Sequence, residues 1–205
     1  MYTSLKTLLQ KFSKNGLDLA LSTKRVSDLT NETKEFIIDL LAKNMRKLYE
    51  DSKCGWNDKN KRKEMLDDKS WYLLATTSDG TIAGYSHFKY DMYFNDEVVN
   101  VHEIQIVSTY QRKGLGRFMM QVLEMLAFKA DMRKIMLTVL KHNPDAEIFF
   151  KKTMKYEIDE TCPVDNEFEQ YDYEILSKLN KRKPPREPTK TTEMDSGCCT
   201  STCCK

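Results

Sequence analysis

A short loop with two glycines and two cations is the segment of the sequence best suited to chemistry. It runs from Gln111 through Arg112, Lys113, Gly114 and Leu115 to Gly116, between a strand-like apolar stretch and an amphipathic helical one. At such a junction successive backbone N–H groups can point at one spot, and the helix dipole adds partial positive charge. The loop therefore suits a diphosphate, although an ordinary loop with a helix cap would show the same pattern.

The glycine spacing excludes two common phosphate-binding loops. A Walker A loop needs Gly-x-x-x-x-Gly-Lys-Ser/Thr, and a dinucleotide-binding loop needs Gly-x-Gly-x-x-Gly. The chain instead has Gln/Arg-x-x-Gly-x-Gly between a strand and a helix. This spacing resembles the pyrophosphate-binding motif of the GNAT superfamily of N-acetyltransferases, which bind acetyl-CoA.

Hydrophobic periodicity predicts the helices that surround this loop. The apolar residues of segment 4–12 predict a short helix, and a longer one begins at Thr30 or Asn31 and ends near Tyr49. The charged segment 58–68 predicts a solvated helix. Two more helices follow the glycine loop and Pro144, since proline suits a first helical turn.

The remaining apolar blocks predict strands at 71–77, 82–91, 98–107, 134–140, 156–158 and 171–177. Asp79-Gly80 predicts a type I′ turn between the first two, because both residues tolerate positive φ. The order of elements predicts an α/β (mixed α+β) protein, and it agrees with the GNAT fold that the resemblance implies. Its central sheet is mixed, mostly antiparallel and twisted, with helices on both faces.

Composition limits the classes of protein that the chain can belong to. Its 205 residues allow one domain, which we place at residues 1–180, followed by a disordered basic, Pro- and Cys-rich tail at 181–205. The 33 basic and 31 acidic residues are mixed, whereas a general nucleic-acid binder is usually more basic. The apolar runs are too short to span a membrane. We therefore expect no nucleic-acid or membrane partner. We also expect that the protein binds no metal and is a monomer.

Blocks across residues 14–178 are similar to the N-alpha-acetyltransferase D (NatD) family, a branch of the GNAT superfamily. They include Asn15-Gly16-Leu17, Trp71-Tyr72-Leu73, Ser86-His87-Phe88, Met136-Leu137-Thr138-Val139 and Lys141-His142-Asn143. The resemblance implies transfer of acetyl from acetyl-CoA to the N-terminal serine amine of histone H4 and histone 2A, which begin Ser-Gly-Arg-Gly. It also implies N-terminal peptides of these histones as partners, in the nucleus and the cytoplasm.

The resemblance assigns the general base to Glu103, on the third strand of the sheet. Alternation along this strand would place its side chain on the opposite face from those of His102 and Ile104. A solvated or salt-bridged strand glutamate is the alternative interpretation. A free α-amine has a pKa of about 7.7–8.0, so part of it is already neutral at cellular pH. A general base therefore has to deprotonate only the remaining part.

By the same resemblance, the cofactor would be held by the strand after this glutamate, by the glycine loop and by one residue before Pro144. These residues are Ile104, Gln105, Ile106, Arg112, Lys113, Gly114, Leu115, Gly116, Arg117 and Asn143. The amide of Ile104 or of a neighbour would polarise the thioester oxygen. Asn143 can equally well cap the helix that begins at Pro144.

The substrate-binding residues implied by the resemblance are Tyr49, Asp91, Met92, Tyr93, His102, Thr138 and Tyr173. Asp91 would pair with the arginine of Ser-Gly-Arg-Gly, since a carboxylate and a guanidinium form charge-assisted hydrogen bonds. The alternative interpretation is that the tyrosines are half-buried core residues and that Thr138 is an ordinary strand residue without a role in binding.

The chain departs from the family pattern at Cys54, Asn100 and His102, where aromatic residues are typical. Phe149 and Phe150 also lack the hydroxyl with which many GNAT enzymes protonate the leaving thiolate. Two alternatives therefore stay open. The first is a GNAT enzyme that acetylates lysine or a small amine, and the second is a non-catalytic module that binds acyl-CoA or histone tails.

Overall fold

The computed structural model describes residues 9–183, which form an eight-stranded sheet with helices on both faces. Its strands are β1 (Leu9–Lys14), β2 (Leu17–Arg25), β3 (Trp71–Thr76), β4 (Ile82–Tyr93), β5 (Asp96–Ile106), β6 (Lys134–Leu140), β7 (Glu157–Ile158) and β8 (Tyr173–Leu179). The helices are α1 (Asn31–Glu50), α2 (Asp58–Met65), α3 (Leu115–Lys129) and α4 (Pro144–Glu147), and α4 continues into a π-helical turn at Ile148–Thr153.

The sheet has the order β1-β2-β3-β4-β5-β6-β8-β7. Among these strands β5 and β6 pair in parallel and all other neighbours are antiparallel. The predicted mixed, mostly antiparallel sheet is therefore confirmed. No helix within residues 9–183 has the length and apolar character that a membrane span requires.

The two faces of the sheet are covered by different helices. α1 and α2 pack on β3 and β4 through Ile37, Leu40, Leu41, Met65, Tyr72, Leu74 and Tyr85. α3 packs on the other face through Leu115, Met119, Met120, Val122, Leu123, Leu126 and Ala127. The N-terminus of α1 is capped by Thr30, one of the two residues predicted for the start of this helix, and its hydroxyl accepts a hydrogen bond from the Thr33 N–H.

The predicted helix over residues 4–12 is wrong for the part that the structure describes. Residues from Leu9 onward form β1, which pairs with β2 through a turn at Asn15-Gly16. The φ angles of these two turn residues are 51° and 74°. Asn-Gly favours such a turn, and the hairpin that it makes overrides the helical spacing of a few apolar residues. Residues 4–8 lie outside the described part of the chain.

The turn between β3 and β4 is not the predicted type I′ turn. Gly80 has a positive φ of 87°, whereas Asp79 does not. The Gly80 N–H donates to the Thr77 carbonyl and the Thr77 N–H donates to the Thr81 carbonyl, which is the pattern of a longer hairpin loop. The Asp79 carboxylate accepts a hydrogen bond from the Thr81 N–H, so it serves as a side-chain acceptor inside the loop.

The parallel strands β5 and β6 separate halfway along their length. They pair from Val98 opposite Lys134 to Val101 opposite Leu137. Beyond this point β5 continues beside β4 and β6 continues beside β8. Each strand therefore has one open edge, and Thr138 is exposed in the middle of the sheet.

A β-bulge lies in β5 where this separation begins. Phe88 pairs with Val101 and His87 pairs with Glu103, so His102 is an extra residue with no opposite partner on β4. A bulge of this kind leaves two residues opposite one and interrupts the alternation of side chains.

The bulge places His102 and Glu103 on the same face of the sheet. His102 Nδ1 lies 3.5 Å from Glu64 of α2, and the Glu103 carboxylate accepts a hydrogen bond from Tyr49 of α1. Ile104 packs on the opposite face, in the cluster that contains α3. Glu103 and Ile104 therefore lie on opposite faces, as predicted. The prediction that Glu103 and His102 also lie on opposite faces is wrong.

A buried ion cluster lies at the first residue of β6. Lys134 Nζ lies 2.7 Å from Asp159 Oδ2 and 3.8 Å from Asp96 Oδ2, and the three side chains are 5 % exposed or less. Burial alone would raise the pKa of Asp159, but hydrogen bonds from Lys134, Thr161 and Ser177 lower it. The cluster joins β5 and β6 at the end where they pair.

We predict that Lys134→Met lowers the free energy of unfolding by about 3–5 kcal/mol, because it leaves the buried carboxylate of Asp159 without its cation, whereas Asp96 keeps its ion pair with Arg133. Chemical denaturation at pH 7 measures this loss, with Lys152→Met at an exposed position as the control. The difference should shrink as the pH falls through the lowered pKa of Asp159, since the neutral acid needs no cation. Equal stability of the two variants at pH 7 would contradict this account.

Candidate active site

A pocket of about 150 Å³ opens where β5 and β6 separate. Its walls come from α1, α2, β5, β6, α4 and β8. The predicted site residues that line it are Tyr49, His102, Glu103, Ile104, Gln105, Thr138, Asn143 and Tyr173. Residues predicted for three roles, base, cofactor contact and substrate contact, therefore meet in one cavity.

Glu103 is the buried carboxylate of this pocket, with a side chain only 5 % exposed. The Tyr49 hydroxyl donates to Oε1 at 3.1 Å, and the Gln105 amide donates to Oε2 at 2.9 Å. Burial raises the pKa of Glu103; Lys61 lowers it and Glu64 raises it, and the net shift is upward. A carboxylate with a raised pKa is a stronger proton acceptor than an ordinary glutamate.

Two charged residues of α2 reach the pocket, and the sequence analysis missed both. The side chains of Lys61 and Glu64 are 9 % and 8 % exposed, and they form an ion pair at 3.2 Å. Lys61 Nζ also lies 4.0 Å from Glu103 Oε1 and 4.1 Å from the centre of the Tyr49 ring. The predicted helix is present, but it is not solvated on this face. An apolar residue in this charged segment, Met65, could have indicated a buried side of the helix, since it lies one turn after Lys61 and is itself buried.

His102 connects this ion pair to the interior of the sheet. Its ring stacks on that of His87 with centroids 4.8 Å apart, and His87 stacks on Tyr72 at 5.1 Å. Burial holds the pKa of His87 well below its ordinary value, so this ring is neutral. Burial would raise the pKa of Glu64, but the contacts with His102 and Lys61 lower it to about 2.

The glycine loop lies just beyond the end of β5. Gly114 precedes α3 with a φ of 88°, a conformation that favours glycine. A Cβ atom on Gly116 would lie 3.3 Å from Ile106 Cδ1, so the helix packs tightly against the strand end. The first N–H groups of α3 have no acceptor within the helix, which leaves them available to an anion.

The charged residues of this loop are open to solvent. Arg112, Lys113 and Arg117 are exposed, whereas Leu115 is buried in the core, so its contribution to a ligand would come from the backbone. The Gln111 amide donates to the carbonyl of Ile106 at 2.8 Å. The loop does not line the pocket itself, but it follows the strand that does.

The β1–β2 hairpin contacts this loop from the side, which the sequence analysis did not predict. The Asn15 side-chain amide donates to the Lys113 carbonyl at 2.9 Å. The Phe12 and Phe118 rings lie 5.2 Å apart. The hairpin therefore fixes both the backbone of the loop and the first turn of α3.

Three predicted substrate contacts lie outside the pocket lining, at the end of β4. Asp91 and Met92 are exposed, and the Asp91 carboxylate accepts a hydrogen bond from the Met92 N–H at 2.8 Å. Tyr93 packs on the cluster of Val98 and Tyr173. Tyr93 therefore connects this strand end to the wall of the pocket formed by β8.

Asn143 caps α4, which is the alternative that the sequence analysis left open. Its side-chain oxygen accepts a hydrogen bond from the Ala146 N–H at 3.2 Å, and it also lines the pocket. Two of the departures from the family pattern, Cys54 and Asn100, line the pocket as well. Within residues 9–183 no group of three or more His, Cys, Asp or Glu side chains could hold a metal ion.

We predict that Asn15→Gly weakens coenzyme A binding about two- to tenfold, because it removes one hydrogen bond to the loop while glycine still accepts the turn conformation. Isothermal titration calorimetry measures the change. Asn95→Gly is the matched control, since Asn95 also has a positive φ in a hairpin turn, at 65°. Unchanged affinity in Asn15→Gly, or an equal loss in both variants, would contradict a role for Asn15 in the loop.

Solved structures of acetyltransferases share this fold. A GNAT family acetyltransferase from Listeria monocytogenes 4b F2365 is 15 % identical with a TM-score of 0.59, over 83 % of this chain and 100 % of that one. Spermidine N-acetyltransferase from Vibrio cholerae, solved with CoA and spermine, is 16 % identical with a TM-score of 0.54, over 78 % and 95 %. PaiA N-acetyltransferase from Thermoplasma acidophilum, solved with coenzyme A, is 15 % identical with a TM-score of 0.55, over 78 % and 99 %.

A sequence model of the acetyltransferase (GNAT) family matches residues 37–156, more than half of the chain. The match includes α1 from Ile37 onward, α2, the separating strands β5 and β6, and the glycine loop. It confirms the predicted fold class and, since enzymes of this family use acetyl-CoA, the predicted cofactor. The chain therefore belongs to the acetyltransferase (GNAT) family.

Proposed function

We propose that the protein acetylates the N-terminal α-amine of histone H4 and histone 2A, which begin Ser-Gly-Arg-Gly. Membership of the GNAT family gives acetyl transfer to an amine, and the acceptor is the proposed part. The main support is the pocket of about 150 Å³, which Tyr173 also lines and in which Glu103 accepts a hydrogen bond from Tyr49. This is below the roughly 300–1,000 Å³ of drug-sized ligand sites, so it suits a small first residue.

The residues around the separated strands fit acetyl-CoA. Beyond Val101 the β6-facing edge of β5 has no strand partner, so backbone groups of segment 104–106 on this edge can bind a ligand. The Ile106 carbonyl is the exception, because it already accepts a hydrogen bond from Gln111. The exposed cations of segment 112–117 would hold the diphosphate, and Asn143 would add a contact at the pocket. When bound, acetyl-CoA supplies the activated acyl group.

Glu103 would act as the general base. It would accept a proton from the acceptor amine, directly or through a water, while Tyr49 and Gln105 hold the carboxylate in place. The backbone N–H of Ile104 or of a neighbour would donate to the thioester oxygen as negative charge develops there. These groups lie on one strand, so the base and the oxyanion donor keep a fixed separation.

The acceptor peptide would leave the pocket toward the end of β4. Asp91 is exposed there and would pair with the arginine at the third position of the peptide. Met92 and Tyr93 would line its path, and Thr138 and Tyr173 would contact the first residues. The same proposal places the enzyme in the nucleus and the cytoplasm as a monomer without nucleic-acid or membrane contacts.

We predict turnover of a Ser-Gly-Arg-Gly peptide and none of the same peptide with a blocked N-terminus and an added lysine. Release of coenzyme A measures the rate, and spermine serves as the small-amine comparison. Asp91→Asn should raise KM for the peptide about two- to fivefold, as expected for an exposed ion pair of about 0.2–1 kcal/mol. Turnover of the blocked peptide or of spermine at the same rate would contradict the proposed acceptor.

We predict that Glu103→Gln lowers kcat/KM about 10²–10⁴-fold, because the amide cannot accept a proton. In the parent enzyme kcat/KM should fall as the pH drops through the raised pKa of Glu103, and the variant should lose this part of the profile. Calorimetry with coenzyme A provides the control for folding and cofactor binding. A variant with an unchanged rate and pH profile would show that Glu103 is not the base.

A further inference from the structure

His102 lines the pocket and has a buried ring nitrogen without a partner within residues 9–183. Its side chain is 10 % exposed, it lines the cavity, and Nε2 has no hydrogen-bond partner among the described residues. A buried polar atom without a partner costs free energy, so such an atom in a pocket lining indicates a ligand contact.

The other ring nitrogen is oriented by Glu64. Nδ1 lies 3.5 Å from Glu64 Oε1, and the pKa of Glu64 is lowered to about 2, so this carboxylate is ionised at neutral pH. An ionised carboxylate only accepts hydrogen bonds. In the neutral ring we therefore assign the proton to Nδ1, which leaves the lone pair of Nε2 without a hydrogen-bond partner among the described residues.

The charged and titratable groups around this ring come from several elements. α2 contributes Lys61 and Glu64, β5 contributes Glu103, β4 contributes His87 and Lys89, and β3 contributes Tyr72. Glu64 is shared between Lys61 and His102, at 3.2 Å and 3.5 Å. A positive charge on His102 would therefore have a carboxylate beside it.

Acetylation of a protonated amine releases two protons from the nitrogen. An α-ammonium must lose one proton before it attacks, and the attacking nitrogen loses a second as it becomes an amide. Glu103 can take one of them, and both of its oxygens already accept hydrogen bonds from Tyr49 and Gln105. A second acceptor in the same pocket would complete the proton balance.

We propose that His102, oriented by Glu64, is this second proton acceptor. Glu103 takes the proton of the α-ammonium, and Nε2 of His102 takes the next one as the nitrogen forms its bond to the acetyl carbon. The carbon–sulfur bond breaks and the electron pair leaves on sulfur. The imidazolium then gives its proton to the thiolate through solvent, and Glu103 releases its proton to solvent. His102 is thus a catalytic residue and Glu64 is a positioning residue.

The inference rests on the proposed function for its assay substrate, but it is tested separately. The rate of the parent enzyme on Ser-Gly-Arg-Gly tests the acceptor. The comparison of variants tests His102, and it can use any amine that the parent enzyme acetylates, because every protonated amine loses two protons.

The experiment is chemical rescue of His102→Ala by imidazole. We expect kcat to fall at least tenfold and to recover at least fivefold with added imidazole, while pyrrole, which has the same shape and no basic nitrogen, has no effect. Glu103→Gln with imidazole is the matched control and should show no recovery. No rescue by imidazole, or equal rescue by pyrrole, would overturn the proposal, since either result makes His102 a packing residue.

A conservative pair of variants keeps the test valid if the alanine variant folds poorly. His102→Gln fills the position and should lower kcat at least tenfold with unchanged coenzyme A affinity. Glu64→Gln should lower kcat severalfold without changing KM for acetyl-CoA, because the ring loses its orienting charge. A kcat of His102→Gln within twofold of the parent value would overturn the role of this residue.

Discussion

The separation of β5 from β6 is the constraint on which the rest of the site depends. Paired parallel strands satisfy each other's backbone groups, whereas these two stop pairing at Val101 and Leu137. The open edges that result are held apart because each strand keeps a partner on its other side, β4 for one and β8 for the other. The site therefore costs the sheet a few hydrogen bonds, while each strand stays paired along its other edge.

The bulge at His102 converts this gap into a chemical site. It places two consecutive side chains on one face, where α1 and α2 surround them with Tyr49, Lys61 and Glu64. Interactions among charges are stronger at such buried positions than in water, and Lys61 lowers the pKa of both Glu64 and Glu103. A regular strand would send either His102 or Glu103 to the other face and break the cluster.

The sequence predicts most of the sheet and the glycine loop because local signals coincide there. Turn residues, apolar strands and the cap at Thr30 all act within a few residues. The N-terminal hairpin was missed, since a few apolar residues fit a helix as well as an edge strand. The bulge and the burial of Lys61 were missed for another reason. Both depend on which elements pack together, and alternation or charge along one segment carries no information about that.

The most direct test of this account is a crystal structure of the enzyme with coenzyme A and a Ser-Gly-Arg-Gly peptide. The account predicts the coenzyme A sulfur between the separated parts of β5 and β6, near the amide of Ile104, with the diphosphate on the amides of segment 112–117. The peptide amine should lie between Glu103 and His102. A cofactor bound elsewhere, or strands that pair beyond Val101 in the complex, would contradict it.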